Sequence, residues 1–270
     1  MNPIDDLFRR LRAEKRKAFM PFVTAGDPDL AFTRELLPAV AEAGANLVEV
    51  GFPFSDPIAD GPVIQASYTR ALSKHLKLAD VFAALKDVTA RPGWSVPLVS
   101  MASYSLMFKK GPAAFIESAK AAGLSGAVVP DLPAEVAEEL SKLAADRDFK
   151  LILLVTPTTS PARAEKVVKA CSGFVYVVSV VGITGARERL PVGLSDLLAR
   201  LRTMTDLPLC VGFGVSKPEH VRDLKEIADG VIVGSALVKK LEAATADRAA
   251  ALAGACQLVK ELGGVLQGER

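Results

Sequence analysis

The chain has few of the residues that build metal or thiol chemistry: two histidines, His75 and His220, and three cysteines, Cys171, Cys210 and Cys256, in 270 residues. No CxxC pair occurs, and so few scattered ligands leave little from which to assemble a metal cage. The cysteines are expected to be buried as small hydrophobes in a reducing cytoplasm, with no metal bound. Charge of one sign is also missing. The 33 Lys and Arg against 31 Asp and Glu leave a net charge of +2, too little to draw nucleic acid by the field of the whole molecule. The basic run from Arg9 to Lys17 lies beside Ile4, Leu7, Phe8 and Leu11 at helical spacing, which predicts an amphipathic helix with a solvated basic face. No apolar leader opens the chain and no stretch is expected to reach the length of a spanning helix, so neither nucleic acid nor membrane is an expected partner.

What the chain does have is apolar substance. Half of its residues are hydrophobic and a quarter charged, enough for a large core and unlike a disordered chain. β-rich runs recur at 18–23, 47–51, 97–101, 126–130, 150–156, 174–180, 208–212 and 230–234, about eight in number, and several are apolar throughout, as in strands covered on both faces. Helix-like segments alternate with them at 30–43, 78–88, 112–122, 135–145, 162–170, 194–204 and 218–227. Pro161 and Pro218 punctuate helix starts, and Gly44 and Gly123 helix ends. The pattern predicts an α/β fold, a single (β/α)8 TIM barrel over residues 1–270, rather than a two-domain Rossmann-type enzyme. An extra N-terminal helix is expected, with further helices after strands 2 and 8.

Two features point to chemistry. Glu49 ends an apolar strand, where a carboxylate is costly unless something pairs or uses it. The following loop, rigid with proline and glycine, carries a second carboxylate, Asp60. The pair suits acid–base catalysis at the C-terminal rim of a barrel, although a buried structural carboxylate would leave the same trace at position 49. The second feature is glycine. Gly182 and Gly185, Gly212 and Gly214, and Gly234 followed by Ser235 sit after the last three strands, where barrels commonly bind phosphate through backbone N–H groups and a helix start. Tight strand-to-helix turns are the alternative for those glycines. No P-loop and no dinucleotide fingerprint occurs, which leaves a small phosphorylated substrate as the better reading.

The segment Ala18-Phe19-Met20-Pro21-Phe22-Val23-Thr24-Ala25-Gly26-Asp27-Pro28 joins Glu49, Pro53-Phe54-Ser55-Asp56-Pro57 and Ala59-Asp60-Gly61-Pro62 in a pattern completed by 179–187 and Gly212-Phe213-Gly214. Together they resemble the tryptophan synthase alpha chain family, in order and over nearly the whole length. The resemblance implies a cofactor-free retro-aldol cleavage of indole-3-glycerol phosphate to indole and glyceraldehyde 3-phosphate. It implies that Glu49 is the main acid and base, that Asp60 accepts the indole N–H, and that Thr184 meets Asp60 when two loops close. Phe22, Met101, Val128 and Tyr176 would wall the indole. Gly185, Gly214, Gly234 and Ser235 would hold the phosphate.

The resemblance further implies a pyridoxal-phosphate beta chain as partner in an alpha2-beta2 tetramer, facing Pro53, Asp56, Ser105, Asp131 and Pro133. The chain departs from the family where Ser103 and Ser105 stand in place of a Tyr and an Asn, where Val181 replaces a Ser or Thr, and where Lys74-His75 replaces a glycine turn. A stand-alone indole-releasing lyase, a catalytically weak subunit that activates a beta chain, and a different phosphate-binding barrel are the competing readings.

Overall fold

The computed structural model describes residues 1–57, 60–179, 193–212 and 214–267. Its first half runs α1 (Pro3–Ala13), β1 (Ala18–Thr24), α2 (Leu30–Glu42), β2 (Val48–Gly51), α3 (Pro62–Leu72), α4 (Leu78–Thr89), β3 (Leu98–Met101), α5 (Tyr104–Lys110), α6 (Pro112–Ala121) and β4 (Leu124–Val128). The second half runs α7 (Ala134–Ala145), β5 (Lys150–Ile152), β6 (Leu154–Val155), α8 (Pro161–Ala170), β7 (Val175–Val178), α9 (Leu194–Arg202), β8 (Leu209–Gly212), α10 (Pro218–Ile227), β9 (Gly230–Val233), α11 (Ser235–Leu241), a 3₁₀ turn (Glu242–Thr245) and α12 (Arg248–Gln267).

The parallel strands follow the order β5-β4-β3-β2-β1-β9-β8-β7-β6. The two ends of that order, β5 and β6, are consecutive pieces of one stretch of chain, so the sheet closes on itself as an eight-stranded barrel. The break falls at Leu153. Its N–H donates to Cys171 Sγ (3.1 Å) while its carbonyl still accepts from Tyr176 N (3.1 Å). The strand expected over 150–156 is therefore interrupted by a side-chain bond that periodicity does not reveal. β4 also begins and ends two residues earlier than expected, and α5 is a helix that the sequence pattern did not announce.

Both faces of each strand are covered, which is why alternation was weak in the sequence. One set of side chains, Met20, Phe22, Leu47, Val99, Met101, Val128, Ile152, Tyr176, Cys210 and Ile232, belongs to a single cluster inside the barrel. The other set, with Phe19, Val23, Val50 and Val177, packs beneath the helices. Large residues inside are matched by glycine. A Cβ on Gly51 would lie 2.4 Å from the Phe22 ring, and one on Gly212 2.4 Å from the Tyr176 hydroxyl.

The N-terminal end of the barrel is closed by α1, whose Ile4, Leu7, Phe8 and Leu11 join the interior cluster while its basic residues stay outside. Asn2 fastens this plug: its side chain caps Ile4 N (3.0 Å) and donates to the carbonyls of Ser125 (3.0 Å) and Asp148 (2.9 Å). Lys150 adds an ion pair to Asp5 at 2.6 Å.

α12 corrects one expectation, because by length and composition it is apolar enough to cross a membrane. It lies against α2, α10, α11 and β1, with Ala251, Ala255, Val259, Leu262 and Leu266 buried. Cys171 and Cys210 are buried as expected, whereas Cys256 is half-buried. His220 is buried on α10. His75 is exposed with φ +56°, the left-handed backbone that explains why a glycine turn suits this place.

Asn2→Ala is expected to cost about 1–2 kcal/mol, because a cap is lost and two carbonyls lose their donor. Urea unfolding followed by circular dichroism checks this, and an unchanged midpoint would show that α1 is held by its apolar face alone.

Candidate active site

The C-terminal ends of the strands open on the side away from α1. Register sets Phe22 beside Glu49 across β1 and β2, and Gly51 beside Met101 across β2 and β3. Glu49 thus projects among the interior side chains, 1% exposed, and its Oε1 has no hydrogen-bond partner among the described residues. Burial, and then the charge of Asp60, push its carboxyl up to about 8. It is a protonated acid at neutral pH.

Asp60 reaches the same mouth from the loop after β2. Its N–H donates to the Pro57 carbonyl (3.2 Å), and Gln65 Nε2 donates to the Asp60 carbonyl (2.8 Å), which shapes the loop where it enters α3. Pro62 begins that helix, where its missing N–H costs nothing. Asp60 Oδ1 is buried with no partner among the described residues. Burial, and then the charge of Asp131, raise Asp60 to about 7. Two proton-binding carboxyls therefore share one apolar pocket, and an ionised Asp60 discourages the ionisation of Glu49.

Three neighbours shape that pocket. Tyr176 on β7 is buried, and burial followed by the charges of Glu49 and Asp60 holds its phenol well above the ordinary range. Tyr68 on α3 is placed in the same way, with Asp60 and Glu49 again acting after burial. Sequence reasoning missed Tyr68, whose helical position carries no motif. α3 is pinned where Thr24 and Ser67 share a hydroxyl bond of 2.6 Å and where Arg70 grips Asp27 with two bonds of 2.9 and 2.7 Å. The third neighbour is Asp131, which accepts from Ser103 Oγ and from Tyr104 N, each at 2.7 Å.

On the opposite rim Gly214 follows β8 in the left-handed region, φ +78°, and Gly234 caps α11, whose first residue is Ser235. These three residues stand at the ends of adjacent strands. Thr184 and Gly185 lie outside the described residues. Met101 and Val128 are buried in the interior cluster with Phe22 and Tyr176. Of the residues assigned to a partner face, Asp56, Ser105 and Pro133 are exposed, Asp131 is half-buried and Pro53 is buried. No group of three or more His, Cys, Asp or Glu is arranged to hold a metal among the described residues.

A closed parallel barrel with two proton-holding carboxyls at its C-terminal mouth defines an acid–base enzyme of the (β/α)8 class. The family model described as tryptophan synthase alpha chain matches residues 8–265. The tryptophan synthase alpha chain of Rhodopirellula baltica is 49% identical, covering 89% of this chain and 87% of the relative. That of Rippkaea orientalis is 45% identical, covering 97% and 98%. Among solved structures, a tryptophan synthase from Mycobacterium tuberculosis superposes with a TM-score of 0.88 at 32% identity, covering 97% of each chain. A mutant tryptophan synthase alpha-subunit from Pyrococcus furiosus gives 0.83 at 40% identity, covering 92% of this chain and 99% of that one. The chain belongs to the tryptophan synthase alpha chain family, and its reaction is the lyase cleavage of indole-3-glycerol phosphate in tryptophan biosynthesis.

The position of Glu49 carries a stability signature. Its folded value of about 8 lies above its ordinary 4.5, so its contribution is complete below pH 4.5 and is lost as pH rises toward 8. Glu49→Gln escapes this loss. Its unfolding midpoint, measured against the parent from pH 5 to pH 9, is expected to gain with pH up to about 8 and then level off, and a constant difference throughout would place an ionised Glu49 in the folded chain at neutral pH.

Proposed function

We propose that Glu49 and Asp60 divide the cleavage between them. The observation that carries this is their meeting in one buried mouth, each with an oxygen that has no partner among the described residues. Glu49, protonated at neutral pH, delivers its proton to indole C3. Positive charge then develops on the ring nitrogen, and the Asp60 carboxylate accepts the indole N–H and stabilises it. With its proton gone, Glu49 is the base that takes the hydroxyl proton of the glycerol side chain. The bond between C3 and that side chain breaks, its electron pair returns to the ring, and indole and glyceraldehyde 3-phosphate result. Glu49 ends protonated, ready for another turnover, so the step consumes no external acid.

Phe22, Tyr176, Met101 and Val128 supply the apolar walls that indole needs. Gly214, Gly234 and Ser235, with Gly185, supply backbone and hydroxyl donors to the phosphate. Thr184 is assigned to closing the mouth over bound substrate, which keeps water from the charged ring. The partner is a beta chain in an alpha2-beta2 complex, met by Asp56, Ser105, Asp131 and Pro133, with Pro53 beneath them supporting the loop. Phe108 on α5, 67% exposed, stands beside Ser105 on that side of the molecule. The whole chain acts as one barrel domain in the cytoplasm.

Glu49→Gln is expected to lower indole release by 10²-fold or more, on the order of the usual contribution of a general acid, while indole-3-glycerol phosphate still binds. A folded variant with the parent rate removes Glu49 from the mechanism. The profile of kcat/KM against pH is expected to be a narrow bell, rising through about 7 as Asp60 ionises and falling through about 8 as Glu49 loses its proton. A rate that keeps rising past pH 9 would contradict an acidic Glu49. Indole release with and without added beta chain separates the readings of the complex. Strong activation supports it, and full activity alone supports a stand-alone lyase.

A further inference from the structure

Beside Asp60 the barrel mouth contains a small cavity of ≈ 20 Å³, lined by Asp60, Asp131, Ser103, Met101, Tyr68 and Phe54. It has room for about one water molecule. Asp131 lies across it from Asp60, on the turn that follows β4, and is held firmly. Oδ2 accepts from Ser103 Oγ and Oδ1 from Tyr104 N, both at 2.7 Å. Ser103 is also the N-cap of α5 and accepts from Ser105 N (3.2 Å). One residue therefore ties the start of this helix to the carboxylate. Both donors to Asp131 are neutral, so they fix the carboxylate without cancelling its charge.

We propose that Asp131, fastened by Ser103, is a positioning residue for Asp60: its charge, held across the cavity, makes Asp60 a stronger acceptor for the indole N–H. This rests on the role given to Asp60 above. The groups that face Asp60 are Glu49 from β2, Tyr68 from α3, Tyr176 from β7, Asp131 from the turn after β4 and Asp56 from its own loop. The two phenols are neutral across the working range. Glu49 keeps its proton at neutral pH, so among these neighbours the negative charge that acts on Asp60 is that of Asp131. As the ring nitrogen becomes positive it meets a pair of carboxylates instead of one, and the rear carboxylate sits in a rigid frame that need not reorganise.

The test is the pH profile of kcat/KM for indole release from indole-3-glycerol phosphate by the purified full chain, in the parent, Asp131→Asn, Ser103→Ala and Asp60→Asn. Removing the charge at 131 is expected to move the acid limb down by roughly one pH unit and to lower kcat several-fold with KM little changed. Ser103→Ala keeps the charge but loosens it, and its limb is expected to move the same way by less. A lower rate with the acid limb at the parent position overturns the inference and leaves Asp131 a structural residue. If Asp131→Asn does not fold, Ser103→Ala decides alone, and an unmoved limb is again fatal. Asp60→Asn separates the two readings. If it retains the parent rate, the role of Asp60 has failed; if it loses activity while the Asp131→Asn limb stays fixed, only the positioning role has.

Discussion

A carboxyl group in the middle of a barrel core is the constraint around which the site is organised. Glu49 lies on an inward position of β2, among Phe22, Tyr176 and Met101, where water cannot solvate an ionised oxygen. Moving a charge into such surroundings costs several kcal/mol unless a partner compensates it, and the usual outcome is that the group keeps its proton. The second carboxylate, Asp60, reinforces this by repulsion. A weak acid in water thereby becomes a proton reservoir near neutrality.

The surroundings that keep Glu49 protonated also give the pocket its shape. Phe22 and Tyr176 reach inward because Gly51 and Gly212 present no side chain to them, with hypothetical Cβ contacts of 2.4 Å in both cases. Those glycines are cavity walls rather than hinges. α3, fastened through Thr24 and Ser67 and through Arg70 and Asp27, delivers both Asp60 at its entrance and Tyr68 within it. One helix inserted after β2 thus adds both a carboxylate and a phenol to a mouth that the strands alone would leave incomplete. At the other end α1 seals the barrel, so the open face carries the chemistry and the closed face carries stability.

The loop after β3 ties a helix start to the site. The short hydroxyl of Ser103 both caps α5 and holds Asp131. The same hydroxyl accepts from Ser105 N and so connects that exposed residue to Asp131. The link is short, one helix start and one side-chain hydrogen bond.

Strand count, helix alternation and the Glu49 and Asp60 pair were legible in the chain because each leaves a local trace: apolar runs of strand length, proline and glycine at helix ends, and a carboxylate where apolar residues belong. The break at Leu153 left no trace, since it depends on Cys171, which is distant in sequence. α12 was expected as a helix after the last strand, but its full length and apolar character were underread, because alanine and glycine each carry little apolar signal. Tyr68 and the Ser103 to Asp131 bond were equally hidden, being made by residues whose types are ordinary at their positions. Composition and spacing determine that this chain closes a parallel barrel and carries two carboxylates to one rim. Which oxygens stay without partners and which carboxylates line the mouth beside Asp60 became visible only in three dimensions, because burial and Coulomb interaction depend on distances that sequence order does not specify.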